Sequence, residues 1–84
     1  MSVAEDRYIR VLVVDDHPMV REGLRSMLST AANLHIVGEA GTAHEAVLQA
    51  KALQPDVVLL DLQLPDMDGL TVLQQIKAVV PHAW

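Results

Sequence analysis

Two short aliphatic runs in this 84-residue chain each end on acid. IRVLVV, residues 9–14, leads into Asp15 and Asp16, and VVLL, residues 57–60, leads into Asp61. Runs of β-branched and aliphatic residues without polar alternation read as strands buried on both faces, as in a parallel sheet covered by helices. A carboxylate at the end of such a strand is costly unless something pairs with it. The feature therefore asks for a parallel sheet and for a partner to its acids.

The segments between these runs supply the helices. Pro18 suits a first helical position, where its fixed φ and missing N–H do no harm. Val20, Gly23, Leu24, Met27 and Leu28 then recur on one helical face, which predicts a helix from 18 to about 31. LHIVGEA, residues 34–40, reads as a second strand. Thr42 and Glu45 form a capping box, with Ala43, Ala46, Val47, Ala50 and Leu53 as the apolar face of a helix that Pro55 stops. A third helix is expected from Gly69 to Val80, with Leu70, Leu73, Ile76 and Val80 inward and Pro81 at its end.

Alternation of strand and helix makes a parallel sheet with helices on both faces, and right-handed crossovers leave few topologies. If the first strand lies between the other two, the ends of strands one and three are neighbours. Ligands of open α/β sheets bind at such a crevice, and Asp15, Asp16 and Asp61 all fall there. At ~5 Å and an effective dielectric near 20, each pair of carboxylates costs about 3 kcal/mol. Protonation or a bound cation relieves this, and Mg²⁺ suits hard oxygen ligands beside phosphate. A carboxylate there is also a competent nucleophile toward phosphorus. The plainer reading is that Asp15 and Asp16 form a solvated turn, or that Asp16 caps the first helix. Asp66 and Asp68 read as turn and cap residues around Pro65 and Gly69.

Composition narrows the function classes. A net charge of −5 with scattered basic residues lacks the basic stripe of a nucleic-acid surface. No apolar run approaches the ~20 residues of a membrane span. MSVAEDRYIR has no apolar core of a leader peptide, so a cytoplasmic chain is expected. With no cysteine there is no disulfide framework. A chain this short buries only roughly two-thirds of its unfolded surface, and without phenylalanine its core must be aliphatic.

VLVVDDHPMVREGLRSML, GEAGTAHEAV and PDVVLLDLQLPDMDGL closely resemble the receiver domain of two-component response regulators. DDHPMVREGL is similar to the NarL/FixJ group, which carries a LuxR-type helix-turn-helix output domain. The resemblance runs from about Tyr8 to Pro81. It implies a flavodoxin-like (CheY-like) three-layer α/β fold with parallel sheet order 2-1-3. It implies Asp61 as phosphoacceptor, Asp16 as a direct Mg²⁺ ligand, and Asp15 as a ligand directly or through water. The backbone carbonyl of Gln63 would complete the set, with Pro65 and Gly69 shaping the loop. The phosphoryl donor would be a sensor histidine kinase, and phosphorylation would control a DNA-binding domain.

A receiver of this family has five β-α units, and residues 1–84 supply three. Strands 4–5, helices 4–5, the family's Ser/Thr and Lys at the phosphate, and the output domain are not in this sequence. The third strand is then expected to be a bare edge and the first helix to expose apolar surface. Both invite association with another chain. The alternative function is accordingly a self-association or partner-binding module without productive phosphotransfer, and the chain is not expected to be an enzyme. DMDGLTV resembles the opening motif of haloacid-dehalogenase-type phosphatases, but Asp66 follows QLP rather than an apolar strand. His17 reads as packing at the start of the first helix, and His35, His44 and His82 as surface residues. Met19, Met27 and Met67 read as core or loop packing, and Arg21 and Arg25 as a solvated helix face or a kinase-facing one.

Overall fold

The computed structural model describes residues 8–84; the expectation of no leader, and Arg7, lie outside the described residues. The elements are β1 (Ile9–Val14), α1 (Pro18–Leu28), β2 (Leu34–Ala40), α2 (Ala43–Leu53), β3 (Val57–Leu60) and α3 (Gly69–Val79). The sheet is parallel, ordered β2-β1-β3. β1 is the central strand because Val11 to Val14 are apolar on both faces, and all four are buried. Its partners in β3 are Val57 to Leu60, in register with Val11 to Val14. This register sets Val14 beside Leu60, so the acids that follow the two strands emerge side by side.

The core on one face joins Leu12 and Val14 to Ala43, Ala46 and Ala50 of α2 and to Val72 and Ile76 of α3. Alanines on α2 let that helix approach the sheet closely. Gly38 of β2 belongs to the same contact: a Cβ there would lie 2.7 Å from Leu53 Cδ1 and collide with the Gln49 side chain. The β1–β2 register shifts next to it, with Val11 opposite Ile36 and Leu12 opposite Gly38, leaving Val37 as the extra residue. Such a bulge re-aims the strand locally.

α1 lies on the other face and docks only partly. It contains no fully buried residue, and Val20 and Met27 of its expected inner face are exposed, as is Met19. It also ends at Leu28, three residues before the expected limit. Ser29 and Thr30 turn their hydroxyls onto the carbonyls of Ser26 and Met27, and the Thr30 and Ala31 N–H groups reach back only three residues. Side-chain hydroxyls that compete for backbone partners favour helix ends over helix interiors.

α3 is turned relative to its expected phase. Val72, Ile76 and Val80 are buried, whereas Leu70 and Leu73, expected inward, are exposed. The Asp68 side chain accepts from the Thr71 N–H and starts the helix at Gly69. In the preceding loop Leu64 is buried in the core and Met67 packs against it. The helix ends at Val79, with Val80 as the residue after it.

The outer edge of β3 is not wholly bare among the described residues. The Trp84 N–H donates to Asp56 O at 2.9 Å, and the Val58 N–H donates to Trp84 O at 2.7 Å. The backbone after α3 thus returns alongside β3 and satisfies the start of that edge. Leu59 and Leu60 lie beyond this bridge.

Candidate metal centre

The strand ends bring together the acids that the sequence singled out. Asp15, Asp16, His17 and Asp61 each offer a ligand atom, and these atoms lie within 4.8 Å of one another. β1 supplies the first three through the turn into α1, and β3 supplies Asp61. The Asp61 N–H donates to Val14 O at 2.9 Å, so the sheet ladder itself holds the two loops together. The Asp15 N–H is likewise fixed to Ala40 O at the end of β2.

His17 is the member whose placement differs most from expectation. It is the residue before the first turn of α1, with extended backbone and no side-chain cap. Its ring is exposed rather than packed, and Nδ1 lies 2.8 Å from Asp15 Oδ1, 3.0 Å from Asp16 Oδ1 and 3.9 Å from Asp61 Oδ2. The approach to Asp16 is not aligned as a hydrogen bond, and Asp16 Oδ1 is shielded from solvent with no hydrogen-bond partner. Asp16 therefore does not cap the helix, and one of its oxygens is free to take a cation.

The charge balance follows from these contacts. Partial burial acts to raise Asp15, but the His17 N–H and imidazole, with the charges of His17 and Arg21, outweigh it and hold the carboxyl below its usual value. The hydrogen bond to Asp15, then the charge of Asp16, raises His17 above the ordinary imidazole value. Arg21 donates to the Asp15 carbonyl and lies 3.5 Å from Glu39. Arg25 makes two hydrogen bonds to the same Glu39. The two arginines thus tie α1 to β2, with Arg21 partly buried and Arg25 still on the solvated face.

The loop after β3 turns back beside Asp61. The Gln63 N–H donates to Asp61 Oδ1 at 2.9 Å, which folds the backbone back beside the carboxylate. Gly69 is required there: a Cβ would lie 2.8 Å from the Leu62 carbonyl oxygen and 2.7 Å from its Cβ. Asp66 has a role that local spacing did not reveal. Its carboxylate accepts from the Ala43 N–H at 2.8 Å and the His44 N–H at 3.0 Å, so the β3–α3 loop is fastened to the start of α2. A carboxylate at a helix N-terminus satisfies free donors and complements the helix dipole.

Chemically, the site is a set of hard oxygen donors at the open end of a parallel sheet. The shielded, unpartnered Asp16 oxygen and the carboxylates of Asp15 and Asp61 fit a small divalent cation such as Mg²⁺, which takes one or two carboxylates and keeps several waters.

The sheet order and the acidic crevice define a doubly wound α/β protein with a candidate cation site at its strand ends. The response regulator receiver domain model matches residues 11–83, and the chain belongs to that family. The response regulator protein VraR of Staphylococcus aureus is 48% identical over 74 residues, covering 88% of this chain and 35% of that protein. The signal receiver domain of the response regulator NarL from Mycobacterium tuberculosis is 42% identical with a TM-score of 0.79, covering 86% of this chain and 58% of that one. Salmonella enterica serovar Typhimurium RcsB, solved bound to a promoter with the phosphomimetic BeF₃⁻, is 31% identical with a TM-score of 0.81; coverage is 89% and 63%. The chain thus spans about a third of the length of VraR. Among the described residues no helix is long and apolar enough to cross a membrane.

Proposed function

We propose that this chain is the phosphoacceptor part of a cytoplasmic two-component response regulator, with Asp61 as the residue phosphorylated. Residues 9–79 supply the first three β-α units of the receiver. The observation that carries the reading is the convergence of Asp61 with Asp15 and Asp16 at the C-terminal ends of neighbouring parallel strands. In this reading Asp16, Asp61 and the Gln63 carbonyl hold Mg²⁺, with Asp15 directly or through water. The bound ion would neutralise charge on the phosphoryl group, where positioning and electrostatics supply most of the catalysis.

The donor is a phosphohistidine on a sensor kinase. An Asp61 oxygen forms a bond to phosphorus as the phosphorus–nitrogen bond breaks, and the electron pair returns to the imidazole of the kinase. The chain is then the phosphoacceptor of the transfer, left phosphorylated on Asp61 rather than turning over as an enzyme. RcsB, a relative solved on promoter DNA, supports a DNA-binding output in the protein to which this receiver belongs.

A second reading rests on a different observation. A cleft of about 490 Å³ beside the acids is lined by Val13, Val14, Leu24, Leu59 and Leu60. Apolar surface of this kind between α1 and β3 suits association with another chain or a second copy. Phosphate incorporation separates the two. On incubation with Mg²⁺ and acetyl phosphate, the first reading expects one phosphoryl group by intact mass, lost in Asp61→Asn. Unchanged mass together with concentration-dependent dimerisation favours the second.

A further inference from the structure

We infer that Arg21 is a positioning residue for the acidic crevice: holding the Asp15 carbonyl from α1, it fixes the peptide from which Asp15 and Asp16 meet Asp61. The inference rests on the cation-binding reading above and deepens it, because Arg21 acts through the backbone of Asp15 and not on the ion or the phosphoryl group. Its Nη1 donates to the Asp15 carbonyl oxygen. The Asp15 N–H in turn donates to Ala40 O at 2.9 Å. The backbone of Asp15 is therefore gripped from both sides, by the end of β2 and by α1.

The guanidinium is itself held in place. It is 23% exposed, and its Nε lies 3.5 Å from Glu39 Oε1. Arg25 donates to the same carboxylate through Nε and Nη2, at 2.8 and 3.1 Å, which keeps Glu39 turned toward α1. Gly41, in the turn after β2, leaves the room: a Cβ there would stand 3.1 Å from Arg21 Nη1 and 4.0 Å from its Cζ. A planar fork of fixed donors serves a carbonyl and a carboxylate together, whereas the ammonium of lysine is a single point charge on a flexible stem. Groups that orient metal-binding side chains from outside matter to the ion, and their loss typically weakens binding roughly ten- to a hundredfold.

Charge and position act in opposite directions at Arg21, which makes the role testable. The guanidinium is a cation beside a cation pocket, so by charge alone its removal strengthens Mg²⁺ binding. By position, its removal frees the Asp15–Asp16 peptide and weakens Mg²⁺ binding. A guanidinium that only ties α1 to β2 would change stability and leave the folded chain without weakened binding.

The test is a Mg²⁺ titration of the 84-residue chain followed by amide NMR, in the parent, Arg21→Gln, Arg21→Lys and Asp61→Asn. The expected result is saturable binding in the parent, weakened about tenfold in Arg21→Gln. Arg21→Lys keeps the charge and loses the fork, and its affinity falls between the two. Without Mg²⁺, the amide nitrogen of Asp16, which belongs to the peptide Arg21 holds, shifts in both Arg21 variants. Unchanged or tighter Mg²⁺ binding in folded Arg21→Gln overturns the inference, whatever happens to stability. If Arg21→Gln gives no dispersed spectrum, Arg21→Lys decides: weaker binding supports the role and parental affinity overturns it. If the parent binds no Mg²⁺, or binds it with shifts that Asp61→Asn leaves unaltered, the cation-binding reading fails and the inference fails with it.

Discussion

The carboxylate of Asp66 accepts hydrogen bonds from the backbone N–H groups of Ala43 and His44, at 2.8 and 3.0 Å, more than twenty residues away along the chain. The loop that carries Asp61 and Gln63 is therefore anchored at its far end to the first turn of α2. The candidate centre is held from two sides: by the sheet ladder at Asp61 and by this cap five residues later.

The anchor has a pH signature. The Ala43 and then the His44 backbone hydrogen bonds hold Asp66 below the usual carboxylate value of 3.8. A carboxylate whose pKa is lower in the folded state stabilises fully above its unfolded value and loses that contribution as pH falls through the folded value. Denaturant unfolding is expected to find Asp66→Ala less stable than the parent at pH 7. The gap closes as the medium is acidified below pH 3.8. A gap independent of pH places the effect elsewhere.

The phase of α3 is tested by a pair of truncations. Ile76 is 3% exposed and Leu70 66%. Removing a buried aliphatic side chain costs about 2–5 kcal/mol, whereas an exposed position away from special contacts stays within about 0.5 kcal/mol. Urea denaturation is expected to show Ile76→Ala strongly destabilised and Leu70→Ala nearly neutral. The reverse order would restore the inward-facing leucines that the i, i+3 spacing suggested.

Gly69 links stability to the site. An added methyl meets the Leu62 carbonyl oxygen at 2.8 Å, and backbone cannot yield as a flexible side chain can. Overpacking of this kind costs about 1–3 kcal/mol. Gly69→Ala is expected to destabilise by that amount and to weaken Mg²⁺ binding, because relief must move the segment between Asp61 and Gln63. Calorimetry on the variant checks both, and unchanged metal affinity would uncouple the loop from the site.

Much of this was legible in the sequence, for identifiable reasons. The order of elements follows from aliphatic runs alternating with helical faces. The central place of β1, and with it the meeting of Asp15, Asp16 and Asp61, is left open by those runs and is implied by the receiver resemblance, which the sheet order matches. Thr42 was legible as a cap because its partner Glu45 is local, and its side chain does accept from the Glu45 N–H. Asp66 was not, because its partners lie across the fold. The end of α1 was missed because Ser29 and Thr30 stop it through their hydroxyls, where no Gly or Pro marks the place. The phase of α3 is not legible because Val72, Leu73, Ile76, Val79 and Val80 offer more than one apolar face, and packing against the core selects Val72, Ile76 and Val80. His17 is not legible as part of the cluster because the turn into α1 that folds its ring back onto Asp15 and Asp16, and toward Asp61, leaves no periodic or capping signal in the sequence.

The central claim is a cation-binding pocket shared by the ends of β1 and β3. Its most direct test is a Mg²⁺ titration followed by two-dimensional amide NMR, with Asp61→Asn as the comparison. The account predicts saturable shifts clustered at residues 15–17 and 61–64, weakened in Asp61→Asn. A well-dispersed spectrum that ignores Mg²⁺, or shifts scattered over the other acidic residues, would contradict it.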